Sequence, residues 1–121
     1  MPLLATLAPV VSLGLGLTQP PYLGVACPHA NSTRCGRVGV AVWVSRPASA
    51  IEATVQGVRV RLHPTGGRRL PWIGYVHLRL RAWGIPSFWT GVKPIGIRVH
   101  ILRTGRWQSG TVRTLLHPGW G

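Results

Sequence analysis

The stretch that decides the fold is "VRVRL", residues 58–62. Apolar residues take every second position, and an arginine fills each gap. A strand sends successive side chains to opposite faces, so Val58, Val60 and Leu62 share one side and Arg59 and Arg61 the other. A helix would scatter the same residues around its axis. The pattern returns in "VHLRLRAW" (76–83) and "IGIRVHIL" (95–102). Three such alternations in one short chain predict a sheet with an apolar face and an arginine face.

Reading outward from there, "RVGVAVWVS" (37–45) places valines at 38, 40, 42 and 44, with Gly39, Ala41 and Trp43 between them. Both faces are apolar, which predicts a strand buried on both sides. "AIEATV" (50–55) turns Ile51, Ala53 and Val55 inward and Glu52 and Thr54 outward. "QG" at 56–57 separates two alternating runs, a hairpin signal. Downstream, "HPTGG" (63–67) stops the central strand, and "YVHLRLRAW" (75–83) turns Val76, Leu78 and Leu80 inward. "GIPSFWTGVKP" (84–94) reads as a loop, "IGIRVHILR" (95–103) as a strand, "TGRWQSG" (104–110) as a turn and "TVRTLL" (111–116) as the closing strand. "VRVRLHPTGG" (58–67) and "VRTLLHPGWG" (112–121) agree at six of ten positions, each reading as a strand end followed by a Pro/Gly exit turn. Beyond residue 35 no stretch has helical period. About six short strands joined by Gly/Pro turns predict a mainly β domain: a small antiparallel β-sandwich, immunoglobulin-like, with a small barrel as the alternative. The expected core holds Val40, Val42, Val58, Val60, Leu78, Leu80, Ile97 and Val99.

The chain has 121 residues, enough for one domain. All 14 of its lysines and arginines lie beyond residue 33, so an apolar head precedes a basic body. "LLATLAPVVSLGLGL" (3–17) is short for a membrane span, which needs about 20 residues, and no positive segment opens it. Residues 1–17 are expected to be the remnant of an anchor or signal whose start lies upstream. The alternative is an apolar segment packed on the body. Residues 18–26 hold Pro20 and Pro21 and read as a stiff linker, and 27–121 as the β-domain. Cys27 and Cys35 bracket "PHANSTR", whose Pro, Asn and Ser favour a turn. Beside an export-like head this spacing predicts a disulfide, worth about 2–3 kcal/mol through loop-closure entropy.

"LGVACPHANSTRCGRVGVAVWVSRPA" (23–48), with the terminal "HPGWG" (117–121), resembles a group of uncharacterised actinobacterial proteins. The resemblance implies a short N-terminal membrane segment followed by a small extracytoplasmic β-domain, and no activity comes with it. It covers the first third of the body and the last five residues. This chain departs from the group in lacking a full anchor and nearly all acids.

Catalytic constellations are scarce. One acid, Glu52, rules out paired carboxylates, and a Ser-His-acid triad would have to use it. No Gly-rich phosphate loop leads a strand into a helix. The histidines, at 29, 63, 77, 100 and 117, lack metal-ligand spacing. His77 and His100 are placed to meet on neighbouring strands, but no third ligand accompanies them, and strand histidines are expected at the surface. No enzyme, cofactor, metal site or small-molecule substrate is therefore expected.

The arginines remain. Thirteen of the fourteen basic residues are Arg, Lys93 being the exception. GC-rich coding accounts for Arg over Lys but not for the missing acids. Arg59, Arg61, Arg79, Arg81 and Arg98 are the candidates for contact with an anion, since guanidinium matches phosphate and carboxylate geometry. Like charges opposite each other on paired strands repel. Either the strands divide so that the charge is shared, or an anionic partner lies on one basic face. Lipid headgroups or an anionic wall polymer fit such a face better than nucleic acid, whose base-stacking folds carry aromatics there. In "WGIPSFWTG" (83–91), Trp83, Phe88 and Trp89 form an aromatic loop expected to cap the core. The expected function is a non-enzymatic interaction module, membrane-anchored or secreted on the extracytoplasmic face. The alternative is a binder of an anionic polymer or surface through the arginine face.

Overall fold

Two-residue turns with a left-handed backbone set the architecture. Gln56 and Gly57 have φ of 48° and 80°, and Thr104 and Gly105 have 49° and 75°. Positive φ at both central residues is the hairpin geometry that matches strand twist. A computed structural model of the chain, describing residues 14–27, 36–67, 69–80 and 91–120, shows what these turns connect. The strands are β1 (Tyr22–Val25), β2 (Arg37–Val42), β3 (Ala50–Val55), β4 (Val58–Pro64), β5 (Trp72–His77), β6 (Lys93–Arg103) and β7 (Arg106–His117). Gln56–Gly57 joins β3 to β4 in register Val55↔Val58 through Ile51↔Leu62. Thr104–Gly105 joins β6 to β7, from Arg103↔Arg106 to Lys93↔Leu116.

The expected turn at 104–110 is thus only two residues long, and Arg106 begins the last strand. The alternation there is hidden, because Arg106, Trp107, Gln108 and Ser109 are all exposed.

The β class holds, but the sandwich does not. The strands close into one seven-membered barrel in the order β1-β2-β5-β4-β3-β6-β7. Closure depends on β1, which lies within residues 18–26, the stretch expected as a linker. It pairs with β2 antiparallel, Tyr22↔Ala41 through Val25↔Val38. It also pairs with β7 in parallel, Tyr22↔Leu115 through Gly24↔His117. With the first and last strands joined, one wall curls on itself and its edges are consumed.

The interior is filled by Leu23, Val38, Val40, Val42, Ile51, Val55, Leu62, Ile97, Val99, Ile101 and Leu116, among others. Leu78 and Leu80 are buried as expected, although β5 has ended at His77. Val60 is partly buried against the core. Val58 departs from expectation at 42% exposed. The reason is local: β4 pairs with β5 only at His63↔Ile73 and Pro64↔Trp72, so the start of β4 has a neighbour on one side alone.

Strand β2 is covered on both faces, as its sequence requires. Outside, the chain's end returns across it. A Cβ at Gly39 would stand 2.5 Å from Trp120 Cε3, and one at Gly24 2.3 Å from the Gly119 carbonyl oxygen. Only glycine permits these approaches. Gly24 on β1 and Gly39 on β2 therefore let Gly119 and Trp120 pack closely on these strands.

Of the apolar head, residues 14–17 are described. Leu15 and Leu17 are buried in the core, and Leu17 forms a bridge with Val44. Gly110 makes room for Leu15, whose Cδ1 would lie 3.1 Å from a Cβ there. No helix among the described residues is long and apolar enough to cross a membrane.

Candidate anion-binding surface

Strands β4, β3, β6 and β7 stand side by side, so their outward side chains form one wall. Register fixes the pattern. Arg59 faces Thr54 and Arg61 faces Glu52 across the β3–β4 ladder. Thr54 faces Arg98 and Glu52 faces His100 across the β3–β6 ladder. Arg98 faces Thr111 and His100 faces Ser109 across the β6–β7 ladder. Strand β3, carrying the only acidic side chain, is thus interposed between the arginines of β4 and those of β6. That spacing relieves the like-charge contact which direct pairing would create.

Arg59 forms an ion pair with Glu52 and also lies over the Trp107 ring, 5.7 Å from its centroid. Arg98 Nη1 donates to Thr111 Oγ1 at 3.3 Å. Arg59, Arg61, Arg98 and Arg113 are all exposed. A guanidinium with one carboxylate for the whole wall has only water, counterions or an external anion as further partners.

His100 sits in the middle of this wall, only 7% exposed, where a surface histidine was expected. Its Nε2 lies 2.9 Å from Thr54 Oγ1 and its Nδ1 2.6 Å from Ser109 Oγ. Burial lowers its pKa from the ordinary value; Arg59 and Arg98 push the same way, and Glu52 opposes them. The ring is therefore neutral near pH 7 and ties β3, β6 and β7 together through two hydroxyls. As a general base it would first have to release one of them.

His77 and His100 do not meet: β5 pairs with β2 and β4, whereas β6 pairs with β3 and β7. His77 is exposed. No group of three His, Cys, Asp or Glu suited to a metal occurs among the described residues.

Arg79 is exposed as expected but follows β5, three strands round from β6, the greatest separation a seven-membered ring allows. It cannot share a contact patch with Arg98. Arg81 and the aromatic loop residues Trp83, Phe88 and Trp89 lie outside the described residues. So does Cys35; its expected partner Cys27 is half-buried, with Sγ 4.0 Å from the Arg37 carbonyl oxygen.

The other side of the barrel carries an aromatic cluster absent from the sequence reading. Tyr22 stacks on His117 with centroids 4.3 Å apart, and its hydroxyl donates to the Gly119 carbonyl at 3.0 Å. Trp120 meets Tyr22 and Tyr75 edge-on at 5.7 and 5.8 Å. Arg37 lies 4.2 Å over the Tyr75 ring. The signal available in sequence was the pairing of Gly24 and Gly39 with a terminal tryptophan, but spacing alone does not say which glycine an aromatic ring covers.

Comparison of the chain with models of protein families, with curated proteins and with solved structures gave no match.

Proposed function

We propose that this chain is a non-enzymatic binding module whose outer β4–β3–β6–β7 wall docks on an anionic surface or polymer. The observation that carries the reading is that Arg61, Arg98 and Arg113 are exposed on one wall whose only carboxylate is engaged by Arg59. Near an anionic membrane each basic group contributes on the order of 1 kcal/mol, and the attraction fades within a Debye length of about 8 Å at physiological salt. Attachment is therefore additive over the arginines, salt-sensitive and indifferent to headgroup identity. Lipid headgroups and anionic wall polymers fit such a wall; nucleic acid fits it less well, because the strand faces lack a row of stacking aromatics.

The same reading sets the module on the extracytoplasmic side, tethered by its apolar head, with Cys27 joined to Cys35. Its supports are the charge-free first 33 residues, the turn-rich segment between the cysteines and the resemblance at 23–48. Thiol titration of unreduced, denatured protein from its native compartment reads the pairing directly, and two titratable thiols would sink it.

The test of the wall is co-sedimentation with anionic and neutral vesicles across a salt series. Wild type is compared with an Arg61→Gln/Arg98→Gln/Arg113→Gln variant. Binding to anionic vesicles alone, weakened in the variant, is the expected result. Equal binding to both vesicle types, or an unaffected variant, would overturn it.

A further inference from the structure

The β6–β7 hairpin carries a second concentration of positive charge, built differently from the wall. Its two-residue turn places Arg103 and Arg106 directly opposite each other. Side chains so placed leave one face of the ladder with Cβ atoms about 5 Å apart. Arg46, on the segment between β2 and β3, joins them. A Cβ built on Gly16 would lie 2.9 Å from Arg103 Nη2 and 3.0 Å from Arg46 Nη2. The two guanidinium groups thus approach within about 6 Å of each other at most. Three cations converge, and the only acidic side chain is held elsewhere by Arg59.

Arg103 is fixed as the floor of this place. Its Nη1 donates to the Leu15 carbonyl at 2.8 Å and its Nε to the Pro47 carbonyl at 3.1 Å. Its Nη2 is buried and has no acceptor. Burial, and then Arg46, lower its pKa from the ordinary value. Arg46 and Arg106 are exposed at the rim. Between them opens a cleft of about 800 Å³, lined further by Pro47, Ala48, Ser49, Trp107 and Gln108.

Such an arrangement is costly unless a counter-charge enters it. Two unit charges 6 Å apart repel by roughly 1 kcal/mol in water and about 3 kcal/mol at a protein surface. Arginine forks supply planar, charge-assisted donors suited to phosphate oxygens. A carboxylate carries one negative charge and leaves most of this field uncompensated. A phosphate monoester carries close to two at neutral pH. The cleft exceeds the size of a bare ion, and Pro47, Ala48 and the Trp107 indole offer apolar surface for an organic body.

We infer that the cleft between Arg46, Arg103 and Arg106 is a binding site for a phosphate monoester group, borne by a soluble molecule or by a lipid headgroup. Arg46 and Arg106 grip the phosphate oxygens, and Arg103 supplies fixed charge from below. Because the site lies at the hairpin end and uses none of Arg61, Arg98 or Arg113, it stands independently of the docking wall.

The test uses the full chain and phenyl phosphate, followed by calorimetric titration at constant ionic strength set with sodium chloride. Saturable binding is expected. The Arg46→Gln/Arg106→Gln variant should bind at least about tenfold more weakly, the loss of roughly one charge-assisted contact. The Arg61→Gln/Arg98→Gln/Arg113→Gln variant should bind as wild type. A second arm uses vesicles with phosphatidic acid, a monoester, against phosphatidylglycerol, a diester, at matched surface charge. Preference for the monoester vesicle, lost in Arg46→Gln/Arg106→Gln, assigns the site to a lipid headgroup. Phenyl phosphate binding without that preference assigns it to a soluble phosphate. No saturable binding in either arm, or binding unchanged in Arg46→Gln/Arg106→Gln, overturns the proposal. Loss of vesicle binding only in the wall variant, together with no saturable phenyl phosphate binding, would leave the wall reading standing and this one refuted.

Discussion

Replacing Gly39 with Ala tests how the barrel's outer seam is held. The added methyl would stand 2.5 Å from Trp120 Cε3 and 2.7 Å from Cδ2 and Cζ3. Carbon atoms settle near 3.5–4.0 Å, so the indole must retreat by about 1 Å. Overpacking of this kind costs about 1–3 kcal/mol. The ceiling is set by letting the Trp120 ring swing away. What it then loses is its edge contacts with Tyr22 and Tyr75. Each such pair is worth about 0.5–1.5 kcal/mol. The expected loss is about 2 kcal/mol, or a fall in Tm of roughly 8 °C. In a Trp120→Ala background the methyl no longer meets the indole and mainly restricts the unfolded chain. There Gly39→Ala should be neutral or stabilise by up to about 0.5 kcal/mol. The difference is a coupling energy of about 2 kcal/mol, read from the four-member cycle by urea unfolding followed by circular dichroism. If Gly39→Ala costs as much without the tryptophan as with it, Trp120 does not cover Gly39 and the account of the seam is wrong.

Two further outcomes follow from the outer wall and the core. Burial lowers the pKa of His100 below its ordinary 6.5, so the unfolded chain takes up the proton first as pH falls. Stability from this residue is therefore complete above about pH 6.5 and is lost as pH falls from there toward the folded value, a slope in denaturant-unfolding curves that His100→Gln should flatten. Ile97, 1% exposed, and Arg61, on the exposed face, test the register in opposite directions. Ile97→Asp should cost about 4 kcal/mol or more and prevent folding, whereas Arg61→Gln should change stability by less than about 0.5 kcal/mol. Circular dichroism and urea midpoints distinguish them, and a folded Ile97→Asp protein would mean the strand is out of register.

Everything governed by period two was legible in the residues alone. The alternation in "VRVRL", "AIEATV" and "IGIRVHIL" decided which faces of β3, β4 and β6 turn inward, because side-chain direction in a strand is a local property. The "QG" turn was legible for the same reason: it needs two positive φ angles and nothing distant. The exposure of Arg59, Arg61, Arg79 and Arg98 was readable too, since one acid cannot pair thirteen arginines. The tertiary structure decided the rest. Closure into a barrel depends on β1 finding β7 across 93 residues, and a four-residue strand between prolines and a cysteine has no periodicity long enough to announce itself. His100 reads in sequence as an outward strand residue. Only the neighbouring strands bring Thr54 and Ser109 to its two nitrogens and bury it. Arg46, Arg103 and Arg106 belong to no common pattern, and their charges meet because one tight turn and a glycine at position 16 let three segments approach. Distances between residues remote in sequence are set by the packing of the whole barrel, which no local rule encodes.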